Sequence, residues 1–203
     1  MKLWTVQPLR FYEELQTRGV LHCDPSSDGF WGAKFPEYEA AYDWLVEQMK
    51  LRVGPPPAGV QYPLWAWALI GGKSKQPAHR SVAFNDNYLD DCVILELEIA
   101  NDDILLSDEE NWGFVMLNRY MHDVCDSEGR WEENAAWFNN LPPDEQERVK
   151  RKSWEKIFDE DDPDNEWKSV QACFWELRLD QVKDIRRFFG FGTRLHRKSE
   201  ATP

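Results

Sequence analysis

Eleven tryptophans run along this chain of 203 residues: Trp4, Trp31, Trp44, Trp65, Trp67, Trp112, Trp131, Trp137, Trp154, Trp167 and Trp175. Each is a large apolar plate with one N–H donor that needs a partner once it is buried. The fold must therefore stack these plates into a bulky core, or leave some of them on the walls of a groove. An apolar share of 42% is enough for the core. At this length one domain is expected, over residues 1–195, followed by a frayed basic tail over 196–203.

Charge narrows the partners. The net charge is −13, which argues against nonspecific nucleic-acid binding, where cationic surface supplies most of the affinity. Between Asp86 and Glu133 there are 15 acidic residues against two basic ones, and from Arg178 to Lys198 there are seven basic against two acidic. The 86–133 belt is a candidate surface for a basic protein partner, although a solvated face explains it as well. No apolar run is long enough to span a bilayer, and the first residues lack the pattern of a signal peptide. A cytoplasmic protein with no membrane partner is expected. The four scattered cysteines then read as reduced structural thiols.

The local pattern predicts an α+β fold with a mixed or antiparallel sheet and a helical insert between early and late strands. Lys2–Gln7 reads as a strand, and a helix starting at Pro8 should end at Gly19. Val20–Cys23 reads as a strand, Pro36–Leu51 as a helix and Val60–Ile70 as a strand. Cys92–Ile99 alternates with Val93, Leu95, Leu97 and Ile99 inward. Ser107 followed by Glu110 looks like a capping box, with a helix running to about His122. Helices are expected over Trp131–Asn139 and Pro143–Phe158, a strand over Ser169–Leu179, a short helix over Asp180–Phe189 and an edge strand over Phe191–Leu195.

Several familiar motifs fail. Gly72-Lys73-Ser74 lacks the earlier glycine of a phosphate loop, because Trp67 stands there. The acidic run Asp159–Glu166 lacks the turn glycine of a calcium loop and contains Pro163. His122 with Cys125 has no second pair to complete a metal site, and no metal is expected.

Three stretches combine aromatic and polar residues: Trp4, Thr5 and Gln7; Tyr62, Trp65 and Trp67, leading towards Arg80; and Val170–Glu176. Strand alternation puts Gln171, Cys173 and Trp175 on one face of the last stretch and Glu176 on the other, with Phe174. A carboxylate there is costly unless it is paired, so Glu176 either bridges to Arg178 or Arg80, or is functional.

Four ordered motifs carry a resemblance. Leu3-Trp4-Thr5-Val6-Gln7, Pro63-Leu64-Trp65-Ala66-Trp67, Leu105-Leu106-Ser107-Asp108 with Trp112, and Gln171-Ala172-Cys173-Phe174-Trp175 resemble an uncharacterised bacterial family, a domain of unknown function of about this length. The opening order of strand, helix ending at Gly and strand also resembles the ADP-ribosyltransferase fold of bacterial toxins. That likeness implies NAD as co-substrate, with Gln171 or Glu176 as the catalytic group on a late strand. It implies Tyr62 or Trp65 on a middle strand, Trp4 or Thr5 on the first, and Arg80 for the pyrophosphate. The first strand here has no His or Arg, and no Ser-Thr-Ser follows the middle strand.

Two readings follow. One is an NAD-dependent ADP-ribosyltransferase-like protein, a toxin or phage-conflict effector acting on a macromolecular target. The other is a non-enzymatic acidic module that binds a basic protein.

Overall fold

The computed structural model describes residues 1–26, 36–77, 91–122, 130–159 and 169–189. Its centre is a six-stranded sheet of β1 (Lys2–Pro8), β3 (Leu64–Leu69), β4 (Cys92–Glu98), β5 (Leu105–Asp108), β6 (Val170–Phe174) and β8 (Val182–Phe188), in the order β5-β6-β3-β1-β4-β8. Every neighbouring pair is antiparallel. A two-stranded ribbon pairs β2 (Val20–Leu21) with β7 (Leu177–Arg178). With the five α-helices among the described residues added, the chain is an α+β protein, and three of those helices lie between β5 and β6 as the expected insert.

Local chemistry sets most of the boundaries. Helix α1 (Leu9–Arg18) follows Pro8, whose fixed φ suits a helix start. It stops at Gly19, where φ is +75° and the amide donates to the Leu15 carbonyl. Tyr12 and Leu15 of α1 pack on the sheet face made by Leu3, Ala66, Val93, Leu95, Leu97, Ala172 and Phe174. The predicted inward set on β4 is therefore the core set, while Glu96 and Glu98 pair with Lys2 and Lys183.

Helix α2 (Pro36–Arg52) covers part of the opposite face. Leu45 and Met49 meet Leu105, Cys173 and Trp175, while Ala41 and Trp44 meet Val115, Trp154 and Ile157 of the insert. Burial on two sides explains why this helix lacks one clean apolar stripe. The insert comprises α3 (Glu109–Met116), α4 (Arg130–Asn139) and α5 (Pro143–Trp154), with a 3-10 turn over Glu155–Phe158.

Several expectations are corrected. The cap of α3 is Asp108, whose carboxylate accepts from the Glu110 and Asn111 amides; Ser107 stays in the sheet. Helix α3 ends at Met116, well before His122, and Asn118 just beyond its cap takes a left-handed φ of 53°. The strand expected through Leu179 breaks after Phe174, and Leu177–Arg178 turns aside to pair with β2. Residues 180–189 hold a strand in place of the expected helix. Val182 and Ile185 oppose Leu97 and Leu95 on the same face, because a bulge absorbs the residue between them. An i, i+3 apolar spacing that reads as helical is thereby accommodated in a strand. The expected edge strand at 191–195 and the basic tail lie outside the described residues.

Asp108 is 5% exposed and holds the β5–α3 corner. Asp108→Ala should lower unfolding free energy by about 1 kcal/mol, and Asp108→Asn by clearly less, as read from urea denaturation. Equal losses from both variants would show that the side-chain cap is not what stabilises the corner.

Candidate functional site

Register brings three of the aromatic and polar stretches together. Trp4 on β1 opposes Trp67 on β3, Trp67 opposes Gln171 on β6, and Gln171 opposes Ser107 on β5. Directly opposed residues project to the same face with Cβ atoms about 5 Å apart. Ser107, Gln171, Trp67 and Trp4 therefore form one row across four strands. Trp4 is buried, Trp67 is half-buried, and Ser107 is only 1% exposed.

Two atoms in this row are unusual. Ser107 Oγ and Gln171 Oε1 are both buried and have no hydrogen-bond partner among the described residues. A buried polar atom in that state costs roughly 1–3 kcal/mol, and here two occur on adjacent residues beside aromatic plates. The next residues on the face towards β5 and α2, Cys173 and Trp65, belong to the packed layer under α2. Trp65 lies against Trp112 at 5.3 Å and Tyr42 at 6.5 Å between ring centroids.

The other candidate residues fall elsewhere. Thr5 follows Trp4 and points to the opposite face. Its hydroxyl donates to the Trp65 carbonyl at 3.0 Å and accepts from Gln7 Nε2 at 2.9 Å, which ties β1 to β3. Tyr62 precedes β3, and its hydroxyl donates to Asp43 Oδ1 at 3.2 Å. Glu176 lies beyond the end of β6, where the chain has left the six-stranded sheet on its way to β7. There it pairs with Arg178 at 3.1 Å, the bridge that its position in the sequence suggested, and lies 3.5 Å from His22 Nε2. Arg80 lies outside the described residues.

The Tyr62 end of the sheet is chemically quiet. Burial first, then Asp24, raises the Cys23 thiol to about 11, so it is no thiolate at neutral pH. Tyr42 is raised to about 12, again by burial first. The buried Cys173 thiol is also pushed well up by burial.

The strand tryptophans and the helix tryptophans do not divide cleanly into site and core. Trp175 is buried with its indole N–H on the Gly54 carbonyl, and Trp44 stacks on Phe158 and meets Trp154 edge-on. Trp137 on α4 is 49% exposed. Sequence reasoning missed Ser107 as a site residue because its spacing to Glu110 matched a helix cap. The signal that could have found it was the alternation of Leu105 and Ser107 on one strand face.

The acidic stretch is partly structural. Asp108 is committed to capping α3, and burial followed by Glu110 and Asp108 raises the carboxyl of Glu109.

The fold and the row together define an α+β protein with an aromatic and polar face on an antiparallel sheet. The chain belongs to the family described as a domain of unknown function (DUF3841), which matches residues 2–183. That span contains all four ordered motifs. No curated protein matches the chain. No helix among the described residues is long and apolar enough to cross a membrane.

Two predictions follow from these environments. Ser107→Ala and Gln171→Leu each remove an unpartnered polar atom and should leave thermal stability unchanged or raised by up to about 1 kcal/mol. A loss of more than about 2 kcal/mol in both would mean that these atoms are satisfied in solution. Because the carboxyl of Glu109 titrates higher in the folded chain than in the unfolded one, its contribution is fully present below the unfolded value. That contribution is lost as pH rises to the raised folded value. Glu109→Gln should therefore stabilise the protein at neutral pH, with the gain vanishing under acid. A gain that is the same at both pH values would contradict this assignment.

Proposed function

We propose that this protein is an ADP-ribosyltransferase-like enzyme that uses NAD as co-substrate, with its reacting centre on the Trp4–Trp67–Gln171–Ser107 row. One observation carries the reading. The first, middle and late strands to which the resemblance assigns the site are β1, β3 and β6, and these three are neighbours in the sheet. On β6 the acceptor Gln171 Oε1 has no partner among the described residues and stands beside Trp67 of β3, and the Ser107 hydroxyl on the adjoining β5 is in the same state.

That combination suits a flat ring joined to a polyol. Gln171 Oε1 accepts a hydrogen bond from a ribose hydroxyl, and Ser107 Oγ supplies a second donor or acceptor within the same row. Trp67, the half-buried plate, offers a stacking wall. Cleavage of a nicotinamide–ribose bond passes through an oxocarbenium-like state, as glycoside cleavage does, with the bonding electron pair leaving on the ring nitrogen. The acceptor nucleophile then bonds to the ribose carbon and releases its proton to water. Gln171 is neutral, so it contributes orientation and dipole to that state in place of a full negative charge. Glu176 stays with Arg178 and His22 and takes no part.

Incubation with NAD tests the reading directly. Nicotinamide should be released, and label from the ADP-ribose moiety should pass to a component of a bacterial lysate. Gln171→Ala should slow release roughly 100-fold while its unfolding transition stays cooperative. Failure to release nicotinamide, to transfer label and to shift thermally with NAD would together remove the proposal.

A further inference from the structure

The helical insert contains a second arrangement, away from the sheet row. Asn118, Arg119, Tyr120 and His122 follow the end of α3 and, with Phe138 of α4 and Lys150 of α5, line a partly open cavity of about 540 Å³. Ligand pockets span roughly 300–1,000 Å³, so this volume takes a molecule of nucleotide size.

The cavity wall is fixed. Trp154 donates from its indole to the Arg119 carbonyl at 2.7 Å, and Ser153 Oγ accepts from the Met121 amide at 3.0 Å. These two bonds clamp the 119–121 segment to the end of α5. Gln146 braces the α4–α5 turn by donating to the Asn139 and Leu141 carbonyls. Asn118 takes the left-handed conformation that ends α3, which asparagine adopts at lower cost than most residues.

The lining combines aromatic and cationic residues. Tyr120 and Phe138 stack with centroids 4.4 Å apart and planes 6° from parallel, and His122 meets Tyr120 edge-on at 4.9 Å. Lys150 is tied to Glu147 at 2.5 Å. Arg119 is exposed and has no ion pair among the described residues. Counting His122 as neutral, the charged residues among the described lining, Arg119, Lys150 and Glu147, sum to +1, in a chain of net −13. Arg119 lines the cavity with an exposed side chain, and a guanidinium combined with aromatic rings recognises a planar base carrying a phosphate, by charge and by stacking.

We propose that this cavity is a binding site for a nucleoside phosphate, separate from the sheet row, in which Arg119 holds the phosphate and the Tyr120–Phe138 wall receives the base. The ligand is either a free nucleotide or a nucleotide of a single strand, and both present the same chemistry. The assignment does not depend on NAD chemistry at Gln171.

Calorimetry with adenosine monophosphate tests it, with adenosine and inorganic phosphate as controls and a short single-stranded oligodeoxyadenylate as a second probe. The monophosphate should bind saturably with a dissociation constant on the order of 1 mM or tighter. Arg119→Glu, a substitution at an exposed side chain, should weaken it at least roughly tenfold. Ala135→Phe, which fills the cavity from α4, should abolish it. Gln171→Ala should leave it unchanged, which separates this site from the sheet row. Tighter binding of the oligonucleotide would identify a strand as the ligand, and equal or weaker binding a free nucleotide. Absence of saturable binding, equal affinity for adenosine or inorganic phosphate, or indifference to Arg119→Glu would overturn the assignment.

Discussion

The register of β1 is the constraint on which the rest of the structure depends. This strand pairs with β4 along its whole length, from Lys2 opposite Glu98 to Pro8 opposite Cys92. Its ladder with β3 is narrower, with Trp4 opposite Trp67 and the Thr5 hydroxyl on the Trp65 carbonyl. Side chains alternate with a period of two, so a slip of one residue would send every side chain to the other face. Trp4 would then point towards α1, Leu3 would leave the core, and the row with Trp67 and Gln171 would not exist. Thr5 thus bears on the site without sharing its face: it helps hold the strand that places Trp4.

Both faces of the sheet carry apolar clusters, and this imposes a price on polar residues within it. Most are paired: Thr5 to the Trp65 carbonyl, Glu96 to Lys2, and Asp108 to the first amides of α3. Ser107 Oγ and Gln171 Oε1 stand apart because they are buried beside one another and remain unpartnered. Purely structural positions on such a face are more stably filled by apolar side chains of similar size. That contrast is the physical basis for placing chemistry on the row, and it also separates Gln171 from Glu176, whose charge is already matched.

The insert between β5 and β6 turns the abundance of tryptophan to two uses. Trp44 and Trp154 pack edge-on at 5.4 Å and close the layer between α2 and the insert. Trp137 stays largely exposed near Tyr120, on the rim of the helical region. The acidic belt divides in a similar way. Asp108 has a specific structural bond, whereas Asp102 and Asp103 sit exposed on the turn before β5.

Much of the fold was legible in the sequence because local rules decide it. Pro8 and Gly19 bracket α1, Leu45 and Met49 mark a buried side of α2, and the alternation of Val93, Leu95 and Leu97 announces a half-buried strand. The chain order of strands around a helical insert was legible for the same reason. Reading failed where a distant partner overrode the local pattern. Val182, Ile185 and Phe188 have helical spacing, but the unpaired edge of β4 takes the segment as a strand and a bulge absorbs the mismatch. Ser107 and Asp108 are adjacent and both can cap a helix; the pairing of β5 with β6 keeps Ser107 in the sheet and leaves the cap to Asp108. The sequence by itself determined which residue types were available for a site: tryptophans on strands and a glutamine among apolar neighbours. Only the tertiary structure decided that Trp4, Trp67, Gln171 and Ser107, drawn from across more than 160 residues of chain, stand in one row. The reason is physical: alternation fixes the face of each side chain within its strand, but strand order and register are set by pairings between distant segments.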